Sequence, residues 1–141
     1  MKNLKTVGTA LAVLGGCAAA RCCLDRSSRR ESSYCRGQIR LTALYNENAA
    51  FNLPLPKAIL PELSGAAIGA VWYFRTRSPI GAGLILGGGT SNLLERLMNG
   101  RVYDYIQFPK APGPLGRFVY NLADLAVLMG SVSLCLFGEV R

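Results

Sequence analysis

Histidine is absent from the 141 residues. Its absence removes Ser–His and Cys–His nucleophile pairs, imidazole proton relays and histidine metal sites from the chemistry open to this chain. Acidic side chains are scarce, eight against sixteen Lys and Arg, for a net charge of +8. Any acid–base chemistry therefore rests on very few carboxylates. The five cysteines, Cys17, Cys22, Cys23, Cys35 and Cys135, form no Cys-x-x-Cys pair and have no metal-ligand spacing. They read most simply as apolar filler in lipid or at its edge, not as a disulfide framework. No aromatic-plus-basic module accompanies the positive charge. That favours an anionic membrane surface over nucleic acid as the partner.

Half of the residues are apolar, and they are clustered in a length suited to one domain, residues 1–141. A basic lead-in, Met1-Lys-Asn-Leu-Lys5, precedes an apolar stretch over 6–20. This is either a secretory apolar core or a short spanning helix. It falls short of the ~20 residues a span needs, but Leu24 and the stem of Arg21 can extend it by snorkelling. Residues 25–40 are polar and arginine-rich, and 38–44 alternate weakly, as a strand at a membrane surface would. Pro54, Pro56 and Pro61 put the start of a second helix near Pro56 or Pro61. It runs to Phe74, with Glu62 at its positive end and Trp72 and Tyr73 as interfacial aromatics. A basic turn, Arg75-Thr-Arg-Ser-Pro79, leads into a glycine-rich third segment, 80–94, whose small residues permit close helix approach. Asn99-Gly100 signals a turn, 109–114 a loop, and 118–137 is the clearest span. The expected fold is an all-α integral membrane protein of four spanning helices with a small surface β-region and both termini on one side.

The stretch 87–124 organises the rest. Asp104 stands where the glycine-rich segment turns polar, and Asp124 lies inside the apolar run 118–137. A carboxylate in a span is costly and marks a functional site by default. Its nearest candidate partner across the loop is Asp104. Two such groups sharing a proton can activate water for peptide hydrolysis. On the residues alone, a cap or an ion pair with an Arg such as Arg117 explains Asp124 equally well.

The block Gly-Gly-x-x-x-Asn92-x-x-Glu95-Arg96-x-x-x-Gly100-x-Val102-x-Asp104-Tyr105 resembles a signature of the lipoprotein signal peptidases (type II), and Asn121-x-Ala123-Asp124 resembles the next. Tyr45-Asn46-x-x-Ala49-Ala50-Phe51 is similar to a third block, and Asp25-x-x-Ser28-Arg29 is a looser match to a fourth. The blocks stand in the family's order and cover most of the chain from Asp25 on. The resemblance implies a membrane aspartic endopeptidase that cleaves lipid-modified prolipoproteins before the diacylglyceryl cysteine. Asp104 and Asp124 would be catalytic. Asn46, Asn92, Arg96 and Asn121 would line the groove or orient the acids, and Asp25 with Arg29 would be a supporting acid and base, although a solvated charge cluster explains that pair equally well. Glu95, where the family usually has Asp, would pair with Arg29 or Arg96 in a structural role. A competing role for Arg96 is a snorkel at the helix end. Family members place a β-cradle near 25–46, and the short linker there suggests a trimmed one. No cofactor or metal is implied. The partners would be prolipoproteins and membrane phospholipids, with no nucleic acid. The site would lie on the extracytoplasmic face of a bacterial inner membrane crossed several times.

Four features pull against that expectation. Ser91 and Asn48 replace usual glycines, which raises an inactive relative that binds lipoprotein or lipid. An intramembrane Asp among basic residues also suits a small transporter-like bundle, although no internal repeat is visible. Leu14-Gly-Gly-Cys17 itself resembles a lipobox, yet a retained first helix completes the four-helix plan. The expected active end carries eleven of the sixteen basic residues, so positive-inside counting places it in the cytoplasm, against the family's orientation.

Overall fold

The computed structural model describes residues 1–26, 31–47, 55–56 and 58–137. The first apolar stretch is one helix, α1 (Lys2–Arg26), longer than the apolar residues alone suggest. Two short strands follow, β1 (Ser32–Tyr34) and β2 (Ile39–Asn46). Helix α2 (Ile59–Phe74) begins between the two expected prolines, with Pro61 in the first turn, where its missing N–H costs nothing. Helix α3 (Pro79–Asn99) starts at Ser78, whose Oγ accepts from the Gly81 N–H, and stops at Gly100 in the left-handed conformation (φ 69°).

Beyond that stop the chain departs from expectation. Residues 102–107 form a strand, β3 (Val102–Gln107), and 119–120 form another, β4 (Val119–Tyr120). Helix α4 (Leu122–Phe137) is therefore shorter than the span read over 118–137, and Asp124 lies in its first turn. The four strands form one antiparallel sheet in the order β1-β2-β3-β4. The surface strand expected over 38–44 thus belongs to a four-stranded sheet, which half comes from residues beyond 100.

Glycine decides how the helices pack. A Cβ on Gly83 would stand 2.7 Å from the Thr6 carbonyl oxygen, and one on Gly87 2.7 Å from that of Ala10. One face of α3 therefore lies backbone-close against α1. Ser91 continues this i, i+4 row and hydrogen-bonds Cys17 of α1. The usual glycine is thus replaced by another small residue on the same face. On the other side of α3, a Cβ at Gly88 would meet the Ala123 carbonyl oxygen at 2.5 Å. Backbones this close gain dispersion and need no large side chains between them, the packing mode of helices in lipid. Helix α2 is attached differently. It packs chiefly on α3, through a stripe at Leu60, Ser64, Ile68 and Val71, and leaves Leu63, Trp72, Tyr73 and Phe74 exposed. A helix apolar on its outer face suits a lipid solvent.

Of the four helices, α1 is long and apolar enough to cross a membrane, and α2 and α4 are shorter apolar helices of 16 residues. The ends of the bundle are unlike. At one, Lys2 Nζ donates to the Thr76 carbonyl and Arg75 Nε to Asn3 Oδ1. The other carries the sheet. All five cysteines are free, Cys17 buried and the others exposed.

Candidate active site

Strand β3 delivers Asp104. Val102-Tyr-Asp-Tyr-Ile106 is built of residues that suit a pleated, half-buried surface. Pairing with β2 sets Leu44 opposite Asp104 and Asn46 opposite Val102. Asn46 is then the diagonal neighbour of Asp104 on one sheet face, and its side chain hydrogen-bonds the Asp104 carboxyl. Asp104 is 3% exposed.

Helix α4 delivers Asp124 through its cap. Asn121 Oδ1 accepts from the Asp124 N–H at 2.8 Å, and Asp124 Oδ2 accepts from the Asn121 N–H at 2.9 Å. This reciprocal pair satisfies backbone donors at the helix start that would otherwise be orphaned. Asp124 thus stands at the mouth of the helix, where the dipole is positive. Arg117 does not hold it, contrary to the ion-pair reading. Its partners are asparagines.

Asn121 joins the two acids. Its Nδ2 donates to Asp104 Oδ1 at 3.0 Å and to Asn92 Oδ1 at 3.0 Å. Asn92 Nδ2 in turn donates to Asp124 Oδ1 at 2.9 Å. Asn92 lies one helical turn beyond Gly88, so the close α3–α4 approach is what brings its amide within reach of Asp124. The amide protons of Asn121 are both used, and its oxygen is used as well, so this 4%-exposed side chain has one satisfied orientation.

Burial is the main cause that pushes the Asp104 carboxyl up, from 3.8 to about 7, and the nearby charge of Asp124 adds to it. Hydrogen bonds from Asn46 and Asn121 and the charge of Arg96 work the other way. Arg96 is one turn beyond Asn92 and acts electrostatically on both aspartates. It faces the acids instead of snorkelling outward. A buried carboxyl held near neutrality beside a second carboxylate is an arrangement suited to proton transfer. Among the described residues, no three side chains of metal-ligating type converge.

Glu95 pairs with Arg21 (3.4 Å), and its Oε2 also accepts from the Tyr103 N–H at 2.9 Å. Arg96, one of its expected partners, also feels its charge. The extra methylene of Glu95 lets one carboxylate tie α1, α3 and β3 together. Asp25 also pairs with Arg21, at 3.2 Å, and is largely exposed on the last turn of α1. Arg29, Asn48, Ala49, Ala50 and Phe51 lie outside the described residues.

Arg21 and Tyr105 were not anticipated as parts of the site. The Tyr105 hydroxyl accepts from the Leu122 N–H at 3.1 Å and so anchors the first residue of α4. The β-branched and aromatic residues of 102–106 were the available signal, masked by the aspartate in their middle.

Comparison with known proteins agrees with this geometry. A family model described as signal peptidase (SPase) II matches residues 11–138. The chain belongs to the signal peptidase II family. It is 35% identical over 115 residues to a lipoprotein signal peptidase of Chlorobaculum tepidum, covering 72% of this chain and 71% of that protein. It is 38% identical over 106 residues to one of Chlorobium luteolum, covering 65% and 64%. The fold is similar to two solved structures described as bacterial membrane enzymes, at TM-scores of 0.79 and 0.78 and 15% identity, over 96% and 93% of this chain. Membership makes the chain a membrane peptidase.

Proposed function

We propose that this chain is an aspartic endopeptidase of a bacterial inner membrane, in which Asp104 and Asp124 together cut lipid-modified prolipoproteins before the diacylglyceryl cysteine. The observation that carries the reading is the asparagine bridge. One buried side chain, Asn121, bonds Asp104, caps the helix that carries Asp124 and orients Asn92 onto Asp124.

The reading gives the two acids different tasks. Asp104 holds its proton near neutral pH, and Asp124 accepts from the Asn92 amide and the Asn121 N–H. Asp124 takes a proton from a water molecule, whose oxygen attacks the scissile carbonyl carbon. Asp104 donates its proton toward the carbonyl oxygen as negative charge develops there. Collapse of the tetrahedral species returns that proton to Asp104 and breaks the C–N bond. The proton held by Asp124 passes to the leaving amine, and both carboxyls regain their starting states. Arg96 stabilises the oxyanion or holds a substrate carbonyl.

The proposed placement is four crossings, with both termini and the 75–78 turn in the cytoplasm and the sheet at the outer surface. Helices of 16 residues cover about 24 Å, so α2 and α4 reach across a ~30 Å core only with their flanking residues. The substrate bond then lies at the interface, level with the first turn of α4. A basic outer end runs against positive-inside counting but suits lipid headgroups.

The test is single-turnover cleavage of a lipidated prolipoprotein in detergent. Asp104→Asn and Asp124→Asn should each lose at least about 10²–10⁴ in rate while eluting as folded protein on gel filtration. Near-normal turnover by either variant removes the dyad. A folded wild-type chain that binds substrate without cutting it supports the inactive relative instead.

A further inference from the structure

At the sheet end, two arginines and two tyrosines cluster. The Arg21 guanidinium lies 4.4 Å from the centre of the Tyr103 ring, Tyr103 and Tyr45 are 5.2 Å apart, and the Arg101 guanidinium lies 4.0 Å from the centre of Tyr45. Arg21, Tyr45, Arg101 and the Asn99 amide line a polar pocket of about 200 Å³. The charges in it are unequal. Arg21 is shared between Asp25 and Glu95, whereas Arg101 is exposed and has no carboxylate partner among the described residues. Contact with the Tyr45 ring places the guanidinium without using up its five N–H donors. A fixed fork of donors with an amide beside it fits the tetrahedral oxygens of a phosphate.

The surroundings point to a source for that phosphate. Leu97 and Met98, the two residues before Asn99, are 62% and 79% exposed. Arg21 stands near the end of the long apolar helix, at the level where headgroups begin. An anion bound between the arginines has an apolar rail beside it for an acyl chain.

We propose that Arg101, with Arg21, Tyr45 and Asn99, binds the phosphate of an anionic phospholipid from the outer leaflet. The inference uses the membrane placement proposed above but not the cleavage chemistry, so a binding measurement fails or succeeds independently of the dyad.

The experiment is native mass spectrometry of the full-length protein in detergent, titrated with phosphatidylglycerol or with phosphatidylcholine. Wild type should retain phosphatidylglycerol in preference. Arg101→Gln should weaken that retention by about tenfold and leave phosphatidylcholine unchanged. Arg101→Lys, which keeps the charge but loses the planar fork of donors, should fall between them. Inorganic phosphate at millimolar concentration should not displace the lipid. If it does, the site belongs to free phosphate and the lipid source is wrong. Equal retention of phosphatidylglycerol by wild type, Arg101→Gln and Arg101→Lys overturns the site. An Arg101→Gln chain that elutes normally on gel filtration keeps either outcome interpretable.

Discussion

The two ends of the helical bundle are built from different material. The terminal end is closed by a short turn and held by single contacts, such as Lys2 to the Thr76 carbonyl and Ser78 to Ser133. The sheet end buries two carboxylates and an amide relay, each oxygen matched to a donor. Both ends are basic, so the sign of their charge does not tell them apart. What distinguishes them is polar density below the surface. A buried polar network is costly unless every member is satisfied, and this one is assembled from three separate elements to satisfy it.

The largest expected contrast between the ends is their accessibility. In a cysteine-free background, Ala111→Cys at the sheet end should react with a membrane-impermeant thiol reagent from outside the cell, and Thr76→Cys should not. Labelling in the reverse pattern inverts the proposed orientation.

Next comes the packing that holds the site together. Gly88→Ala places a methyl group 2.5 Å from the Ala123 carbonyl oxygen, a backbone atom that cannot swing aside. Overpacking of this kind costs about 1–3 kcal/mol. The shift moves Asp124 away from Asn92, so turnover should fall much further than stability. Gly65→Ala on α2 is the control, since nothing lies within 4 Å of it. Equal turnover by the two variants would show that the α3–α4 approach does not position Asp124.

A smaller effect follows from the Asp104 carboxyl, held at about 7 in the folded chain against an ordinary 3.8. The folded state binds this proton more tightly than the unfolded state does. Its contribution to stability is therefore fully present below 3.8, is lost as pH rises toward 7, and is level above that. Thermal midpoints in detergent should decline across that window in wild type. In Asp104→Asn the decline should be shallower, and the gain from Asn greater at pH 8 than at pH 5. Parallel curves would remove the buried proton.

The smallest change is Glu95→Gln. The ion pair to Arg21 is partly exposed and 3.4 Å long, and pairs of this kind contribute about 0.2–1 kcal/mol. The Gln oxygen still accepts from the Tyr103 N–H. A slightly lower midpoint with unchanged turnover is expected, and a collapse in turnover would move Glu95 into the catalytic set.

Much of this is legible in the sequence. The order of apolar segments foretold α1, α2 and α3, because a helix buried in lipid or protein must be apolar along its length. The resemblance of the blocks around Asn92, Asp104, Asn121 and Asp124 to a known family implied one site. The strand over 102–107 was hidden, since its pairing partner β2 lies more than fifty residues away and local alternation was broken by Asp104 itself. The start of α4 was misplaced for a related reason. Residues 118–120 are as apolar as a span, and hydropathy carries no signal for a backbone that pairs with β3 before it turns helical.

By itself, the sequence determined the chemistry on offer: no imidazole, few acids, and two aspartates set among apolar and small residues. Only the tertiary structure decided how the acids differ. Asp104 is sealed on a strand and Asp124 caps a helix, and burial together with the neighbouring carboxylate raises the affinity of Asp104 for its proton. Desolvation depends on what closes over a group from distant parts of the chain. Here those parts are β2, the glycine face of α3 and the first turn of α4.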